Sequence, residues 1–238
     1  MKHITIILMF GIFCMLSFES AAQSPERFYQ GGKCGYRDKS GTIIASPQYE
    51  AGSDFFEGRA LVLKGNKRGY LDEKGTVVIP FIYEDASAFH EGLARVTQNN
   101  KSGYIDKEGK IIIPLQYDFA DDFIGGLARV SKDKKFGFID KQQKIIIPLV
   151  YSDAKNFSEG MAPAKKDKWG FISPKGQISI LMQYDEANVF QNGMAVVWKE
   201  GKGIYIDPQG KFVKKMEVRE ERENEGVQMQ NGESEQEK

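Results

Sequence analysis

Apolar and polar positions along the chain follow a pattern that returns about every 34 residues. Runs of four or five apolar residues, rich in Ile and Val, alternate with clusters of Gly, Asp, Lys and Pro. Such runs are too short for helices and read as strands. Each repeat predicts three of them. The first is LVLK (61–64), LARV (93–96), LARV (127–130), MAPA (161–164) or MAVVW (194–198). The second is of the Gly-Tyr-Ile-Asp type. The third is TVVIP, KIIIP, KIIIP, QISIL or KFVKK. Its continuous apolar character predicts burial on both faces. Pro80, Pro114 and Pro148 are read as its end, because Pro cannot donate to a ladder.

Three independent marks keep this period. An aromatic-x-Asp (or Ser) signature falls at Tyr36, Tyr70, Tyr104, Phe138, Phe171 and Tyr205, in steps of 34, 34, 34, 33 and 34 residues. Gly-x-Ala begins at Gly58, Gly92, Gly126, Gly160 and Gly193, and an aromatic lies three residues earlier at Phe55, Phe89, Phe123, Phe157 and Phe190. A fixed period of this length is the mark of a repeat architecture. Between strands two and three lie Asp38…Gly41, Asp72…Gly75, Asp106…Gly109 and Asp207…Gly210, the residue order of a type I turn. One Asp beside lysines falls far short of the carboxylates that a calcium loop needs. About ten residues then cross back to the next repeat, with Tyr, Ala and Phe at steps of three (Tyr117, Ala120, Phe123; Tyr151, Ala154, Phe157; Tyr184, Ala187, Phe190). They are read as one packed face, with a sugar-stacking platform as the functional alternative.

Ahead of strand two stand Lys33-Cys-Gly, Lys67-Arg-Gly, Lys101-Ser-Gly, Lys135-Phe-Gly and Lys168-Trp-Gly, and the last repeat reads Lys202-Gly203-Ile204. With Tyr/Phe-Ile-Asp, the run ending in Pro and the later Phe-x-Glu-Gly-Leu/Met-Ala, the chain resembles the WG (KWG) repeat family from residue 33 to about 215. Only Trp169-Gly170 keeps the family's Trp, which suggests that the Trp position faces solvent in some repeats. The resemblance implies an all-β repeat module and carries no shared catalytic residues. The expected fold is a tandem array of about five 34-residue, three-stranded antiparallel units. An open β-solenoid is favoured, with propeller-like closure into five blades as the alternative.

Composition bounds the function. There are 33 basic and 33 acidic residues, two Cys and two His. Zero net charge argues against a chain built to neutralise nucleic-acid phosphates, and no metal, cofactor or catalytic constellation is evident in the sequence. Residues 1–22 read as a signal peptide, with Lys2, an apolar run from Ile4 to Phe18, and Ser20-Ala21-Ala22 before the cleavage point. A short N-terminal linker (23–32), the repeat domain (33–215) and an acidic, disordered tail (216–238) complete the expected organisation. Without signal and tail the body carries 29 basic and 24 acidic residues. Its basic residues gather in the turns between strands one and two, and its acidic ones in the crossovers. The candidate anion- or partner-binding ridge is Lys67, Arg68, Lys101, Lys134, Lys135, Lys166, Lys168, Trp169 and Lys202. The alternative is a solvated surface whose charges screen one another. Cys34 reads as a buried, inert thiol.

The functional expectation is an exported, non-catalytic binding or scaffold module for a protein or anionic glycan, monomeric, without a membrane span after cleavage, and periplasmic, cell-surface or extracellular. A glycan-active hydrolase of the cell envelope and a spacer without ligand are the alternatives.

Overall fold

The structure, a computed structural model, describes residues 24–216; the expected signal peptide and the charged tail from residue 217 lie outside them. The described chain has no helix, and its strands form six antiparallel sheets of three or four strands. It divides into two compact units at Phe123/Ile124. In the N-terminal unit β1 (Glu26–Gln30), β2 (Lys33–Arg37) and β3 (Ile43–Tyr49) make the first sheet. The second holds β4 (Ala51–Phe56), β5 (Arg59–Lys64), β6 (Lys67–Asp72) and β7 (Val77–Tyr83). The third holds β8 (Asp85–Ala86), β9 (Ala94–Gln98), β10 (Lys101–Ile105) and β11 (Ile111–Tyr117), and β12 (Phe119–Ala120) follows. In the C-terminal unit β13 (Leu127–Lys132), β14 (Lys135–Asp140) and β15 (Ile145–Tyr151) lie side by side. Next come β16 (Asp153–Ala154), β17 (Ala162–Lys165), β18 (Trp169–Ile172) and β19 (Ile178–Tyr184). The last sheet is β20 (Glu186–Ala187), β21 (Ala195–Lys199), β22 (Lys202–Ile206) and β23 (Phe212–Lys215).

The all-β repeat array is therefore the architecture, and no sheet closes into a barrel. Two strands go beyond the sequence pattern. The crossover contributes a fourth, in β8, β16 and β20 only two residues long. The expected linker at 23–32 contains β1, which pairs with β2 from Glu26↔Arg37 to Gln30↔Lys33.

The third strand corrects two expectations. It does not stop at proline: β7, β11 and β15 run three residues past Pro80, Pro114 and Pro148. Nor is it buried on both faces, since its first residue (Ile43, Val77, Ile111, Ile145, Ile178, Phe212) is 44–59% exposed in every sheet. The third strand is an edge strand in each sheet, and an edge tolerates a residue without an N–H.

Glycine at the middle of strand two makes room for this geometry. A Cβ on Gly69 would lie 2.6 Å from the Ile79 carbonyl oxygen, and on Gly103, Gly137 or Gly170 2.5 Å from the corresponding carbonyl. The ladder slips there, running from Arg68↔Tyr83 to Tyr70↔Ile79. β18 and β19 show the same slip with Leu181 where other repeats have Pro. In the last sheet Ile204 replaces the glycine, and pairing proceeds straight from Ile204↔Lys215 to Tyr205↔Lys214. The slip thus accompanies the glycine and not the proline.

The core lies between successive sheets within each unit. Tyr70 and Ile79 of one repeat meet Ala94, Val96 and Ile105 of the next, and Phe138 and Ile147 meet Ala162, Ala164 and Ile172. The crossover trio belongs to this core: Tyr83, Ala86 and Phe89, and likewise Tyr184, Ala187 and Phe190, are buried. Burial excludes the sugar-platform reading of these rings. The ring of strand two stacks on the crossover ring 19 residues later, at 5.0 Å for Tyr70–Phe89 and 4.8 Å for Phe138–Phe157.

The Asp turns use their carboxylates internally. Asp72 Oδ1 accepts the N–H groups of Lys74 and Thr76 at 3.0 and 2.8 Å, and Asp106, Asp140 and Asp207 repeat the arrangement. The Phe-x-Glu-Gly segment is a tight turn with φ positive at both central residues (Glu57 50°, Gly58 79°). The strain at Glu57 is offset because its carboxylate accepts the Gly92 N–H of the following repeat at 3.0 Å. Glu159 does the same for Gly193 at 2.9 Å.

Candidate functional site

The hairpins between strands one and two carry the basic residues, and the first residues of the crossovers carry the acidic ones. The two sets meet at a spacing of 17 residues. The lysine at or just before the start of strand two pairs with the crossover acid: Lys33 with Glu50 at 3.0 Å, Lys67 with Glu84 at 3.6 Å, Lys101 with Asp118, and Lys168 with Asp185. The same carboxylates reach a hairpin amide. Glu50 accepts from Gly65 N at 3.3 Å, Glu84 from Asn100 N at 3.3 Å, and Asp185 from Glu200 N at 2.7 Å. The Lys33 ammonium holds the Glu50 carboxyl below its ordinary value, the Asn100 and Asn99 amides do so for Glu84, and the Lys168 ammonium for Asp185.

One repeat departs from this rule. At the crossover position that faces Lys135 stands Ser152, whose hydroxyl donates to the carbonyls of Lys165 and Lys166 at 3.2 and 2.7 Å. Lys135 is exposed and has no ion pair among the described residues. The neighbouring hairpin is irregular as well. Gly65/Asn66, Asn99/Asn100, Asp133/Lys134 and Glu200/Gly201 all have paired positive φ angles, as two-residue hairpin loops require. Lys166–Lys168 has none, and its Lys166 N–H donates to Lys168 O at 3.3 Å. This shorter loop is the source of the 33-residue step.

The position at which the family carries Trp sits at a cleft between neighbouring sheets, and its occupant sets the chemistry there. In the N-terminal unit a cleft of about 320 Å³ holds Arg68, whose guanidinium donates to Glu84 O and pairs with Asp85 at 3.4 Å. A second, of about 390 Å³, holds Ser102, hydrogen-bonded to Thr97 Oγ1 at 2.9 Å, and Arg95, paired to Asp85 at 2.7 Å. In the C-terminal unit a cleft of about 300 Å³ is lined by Trp169, Lys155, Lys165 and Asp185. The Lys155 ammonium lies 5.6 Å from the Trp169 ring centroid, and Lys155 donates to Asn188 Oδ1 at 2.8 Å.

The other titratable groups are structural. Burial pushes the Tyr36, Tyr70 and Tyr104 hydroxyls well above the ordinary phenol range. Tyr36 and Tyr70 donate to the Ser53 and Ser87 carbonyls at 2.8 and 2.7 Å, and Tyr104 to that of Asp121. Burial also raises the Cys34 thiol, so it is a poor nucleophile.

The expected ridge is thus divided. Lys67, Arg68, Lys101 and Lys168 are ion-paired in place. Trp169 is 6% exposed, and Ser102 and Cys34 are buried at the same position, so it is closed to solvent in these three repeats, while Arg68 and Phe136 are half-buried. Lys134, Lys135, Lys166 and Lys202 remain exposed. Sequence reasoning missed Arg95, Asp85, Lys155 and Ser152. The crossover series Glu50, Glu84, Asp118, Ser152, Asp185 holds the signal that would have singled out Ser152.

These features define a tandem β-repeat protein with a clefted, ion-paired surface. The chain belongs to the WG containing repeat family, which matches at residues 35–67, 69–101, 103–136, 136–168 and 169–202. No curated protein matches the sequence. Among solved structures, a eukaryotic initiation factor is similar with a TM-score of 0.50 and 12% identity, over 79% of this chain and 62% of that one. Hsv2 of Kluyveromyces lactis has a TM-score of 0.45 and 9% identity, over 79% and 70%. A protein of unknown function from Bacteroides caccae has a TM-score of 0.30 and 15% identity, over 81% and 94%. At these identities the likeness concerns fold alone.

Proposed function

We propose that the chain is an exported, non-catalytic binding or scaffold module that presents its repeat surface to a protein or glycan partner, in the cell envelope or outside the cell. The observation that carries this reading is the contrast between frame and decoration. Glycine, the Asp turns and the aromatic stack recur, while the cleft position changes from Arg68 to Ser102 to Trp169. Variation laid on a rigid repeated frame is how repeat proteins build binding surfaces. In support of a non-catalytic reading, the turn aspartates are engaged by backbone amides, and Asp85, Asp118 and Asp185 by cations. Export rests on the segment 1–22.

A binding screen of the mature full-length chain against envelope proteins and envelope glycans, at low and high salt, tests the reading. One reproducible partner, released without chemical change, is the expected result. Cleavage of a glycan would establish the hydrolase instead, and no partner at either salt concentration would favour a spacer. N-terminal sequencing of the protein recovered from its native cells should begin at Gln23.

A further inference from the structure

Four of the five described crossovers carry a carboxylate that joins the lysine at the start of strand two, and Glu50, Glu84 and Asp185 are seen to accept a hairpin amide as well. The fifth keeps the lysine and lacks the acid. Lys135 stands opposite Ser152, a side chain too short to reach an ammonium while it bonds to two hairpin carbonyls. Lys134 and Lys166 flank the place and are exposed, and Asp167 forms no ion pair there. The lysine that elsewhere receives a Glu or Asp side chain from its own chain is therefore kept without that acid at this point, beside a hairpin of different shape.

We infer that Lys135, Ser152 and Lys166 form a slot for the carboxylate of a glutamate or aspartate side chain supplied by an acidic peptide. This deepens the binding reading and rests on it. The chemistry follows from the sibling sites: what Lys33, Lys67, Lys101 and Lys168 hold is an amino-acid carboxylate, offered from a bend of the chain. A peptide laid along the crossover supplies the same group in the same way, with a charge-assisted hydrogen bond to the ammonium. Two sources can offer it. One is a partner protein with an acidic segment. The other is this chain's own residues 217–238, which hold eight acidic and three basic residues.

The test is calorimetric titration of the full-length chain with a hexaglutamate peptide at low salt. Lys135→Ala and Ser152→Glu should each weaken binding about tenfold, the second because it refills the slot from within. Ser152→Glu should keep or raise the thermal midpoint, which separates slot filling from misfolding. Gln177→Glu adds the same charge at the far turn of the following repeat and should leave affinity within about twofold, since exposed charges beyond a screening length interact weakly. A full-length chain with Glu220, Glu221 and Glu223 changed to Gln distinguishes the sources: tighter peptide binding assigns the tail as occupant, and unchanged binding assigns a partner. Equal losses in Ser152→Glu and Gln177→Glu, or undiminished binding in Lys135→Ala, would overturn the slot. A partner found in the wider screen that binds these variants normally leaves the general binding reading intact while removing this one.

Discussion

In the N-terminal unit Tyr36, Tyr70 and Tyr104 each send a hydroxyl to a crossover carbonyl, whereas in the C-terminal unit Phe138 and Phe171, the two rings followed by a crossover, have no hydroxyl to send. The rim differs in parallel. All three crossover positions of the N-terminal unit are acidic (Glu50, Glu84, Asp118), while the C-terminal unit has Ser152 and Asp185. Ring stacking is nonetheless alike, at 5.0 Å for Tyr70–Phe89 and 4.9 Å for Phe171–Phe190. Packing shape is therefore what the repeat cannot change, and polar detail is what it can. Along this rim the N-terminal unit pairs Lys33, Lys67 and Lys101 with its own acids. The C-terminal unit leaves some of them available.

The largest effect should come from breaking the shared frame. Gly137→Val would push a side chain into the Ile147 carbonyl, 2.5 Å from the Cβ position. Urea unfolding of the full chain should show a loss of about 4 kcal/mol, the range of overpacking combined with backbone displacement. Ile204→Gly, at the equivalent position of the last sheet, where the ladder runs without a slip from Ile204 to Tyr205, should cost about 1–2 kcal/mol through lost burial and added chain entropy. A change below about 1 kcal/mol for Gly137→Val would show that the glycine is not what permits the slip.

The next effect exchanges polar detail between the units. Tyr70→Phe leaves the Ser87 carbonyl without its donor and should cost about 1–2 kcal/mol. Phe138→Tyr is the reverse experiment. The backbone at residue 155 is turned as at 87, with Lys155 N donating to Pro163 O at 2.9 Å as Ser87 N donates to Arg95 O at 3.0 Å. The new hydroxyl should therefore find the Lys155 carbonyl and stabilise by about 0.5–1 kcal/mol. Destabilisation in the second variant would mean that the two frames are not equivalent, and the comparison above would fall with it.

What the sequence made legible divides along the same line. The period, the Asp turns and the ring pairs could be read because each is carried by a residue type with one structural use, repeated five or six times. The short strands β8, β16 and β20 could not. Two residues give no periodicity, and their pairing is fixed by the returning chain and not by propensity. Pro80, Pro114 and Pro148 misled because proline reads as a strand end until the strand is known to lie at an edge. The ridge was visible as a sum of charges, whereas its neutralisation by acids 17 residues away depends on a crossover geometry that composition does not specify. Burial at the Trp169 position was hard to read for a related reason: replacement by Arg68 or Ser102 looks like tolerance of solvent, but it reflects clefts filled by different side chains.

The smallest effect is local and depends on pH. Glu50 and Glu84 are held below their ordinary carboxyl value, the first chiefly by Lys33 and the second chiefly by the Asn100 amide, and Asp185 is lowered by Lys168. A carboxyl whose folded value is depressed contributes stability that is complete above its unfolded value, near 4. That contribution is lost as pH falls through the folded value, so the change belongs to the window between about pH 5 and pH 3. Protonation frees the hairpin amides that these groups accept from. Hydrogen-exchange protection, corrected for intrinsic rates, should therefore fall on acidification at Gly65, Asn100 and Glu200. At Asp167 no crossover carboxylate accepts the amide, because Ser152 stands in its place, and protection should not change. Introducing Ser152→Glu should confer the same acid sensitivity on Asp167, making the irregular hairpin of the C-terminal unit behave like those of the N-terminal one. Equal acid sensitivity at Asp167 in the unmodified chain would show that the hairpins loosen for a reason other than the crossover carboxylates.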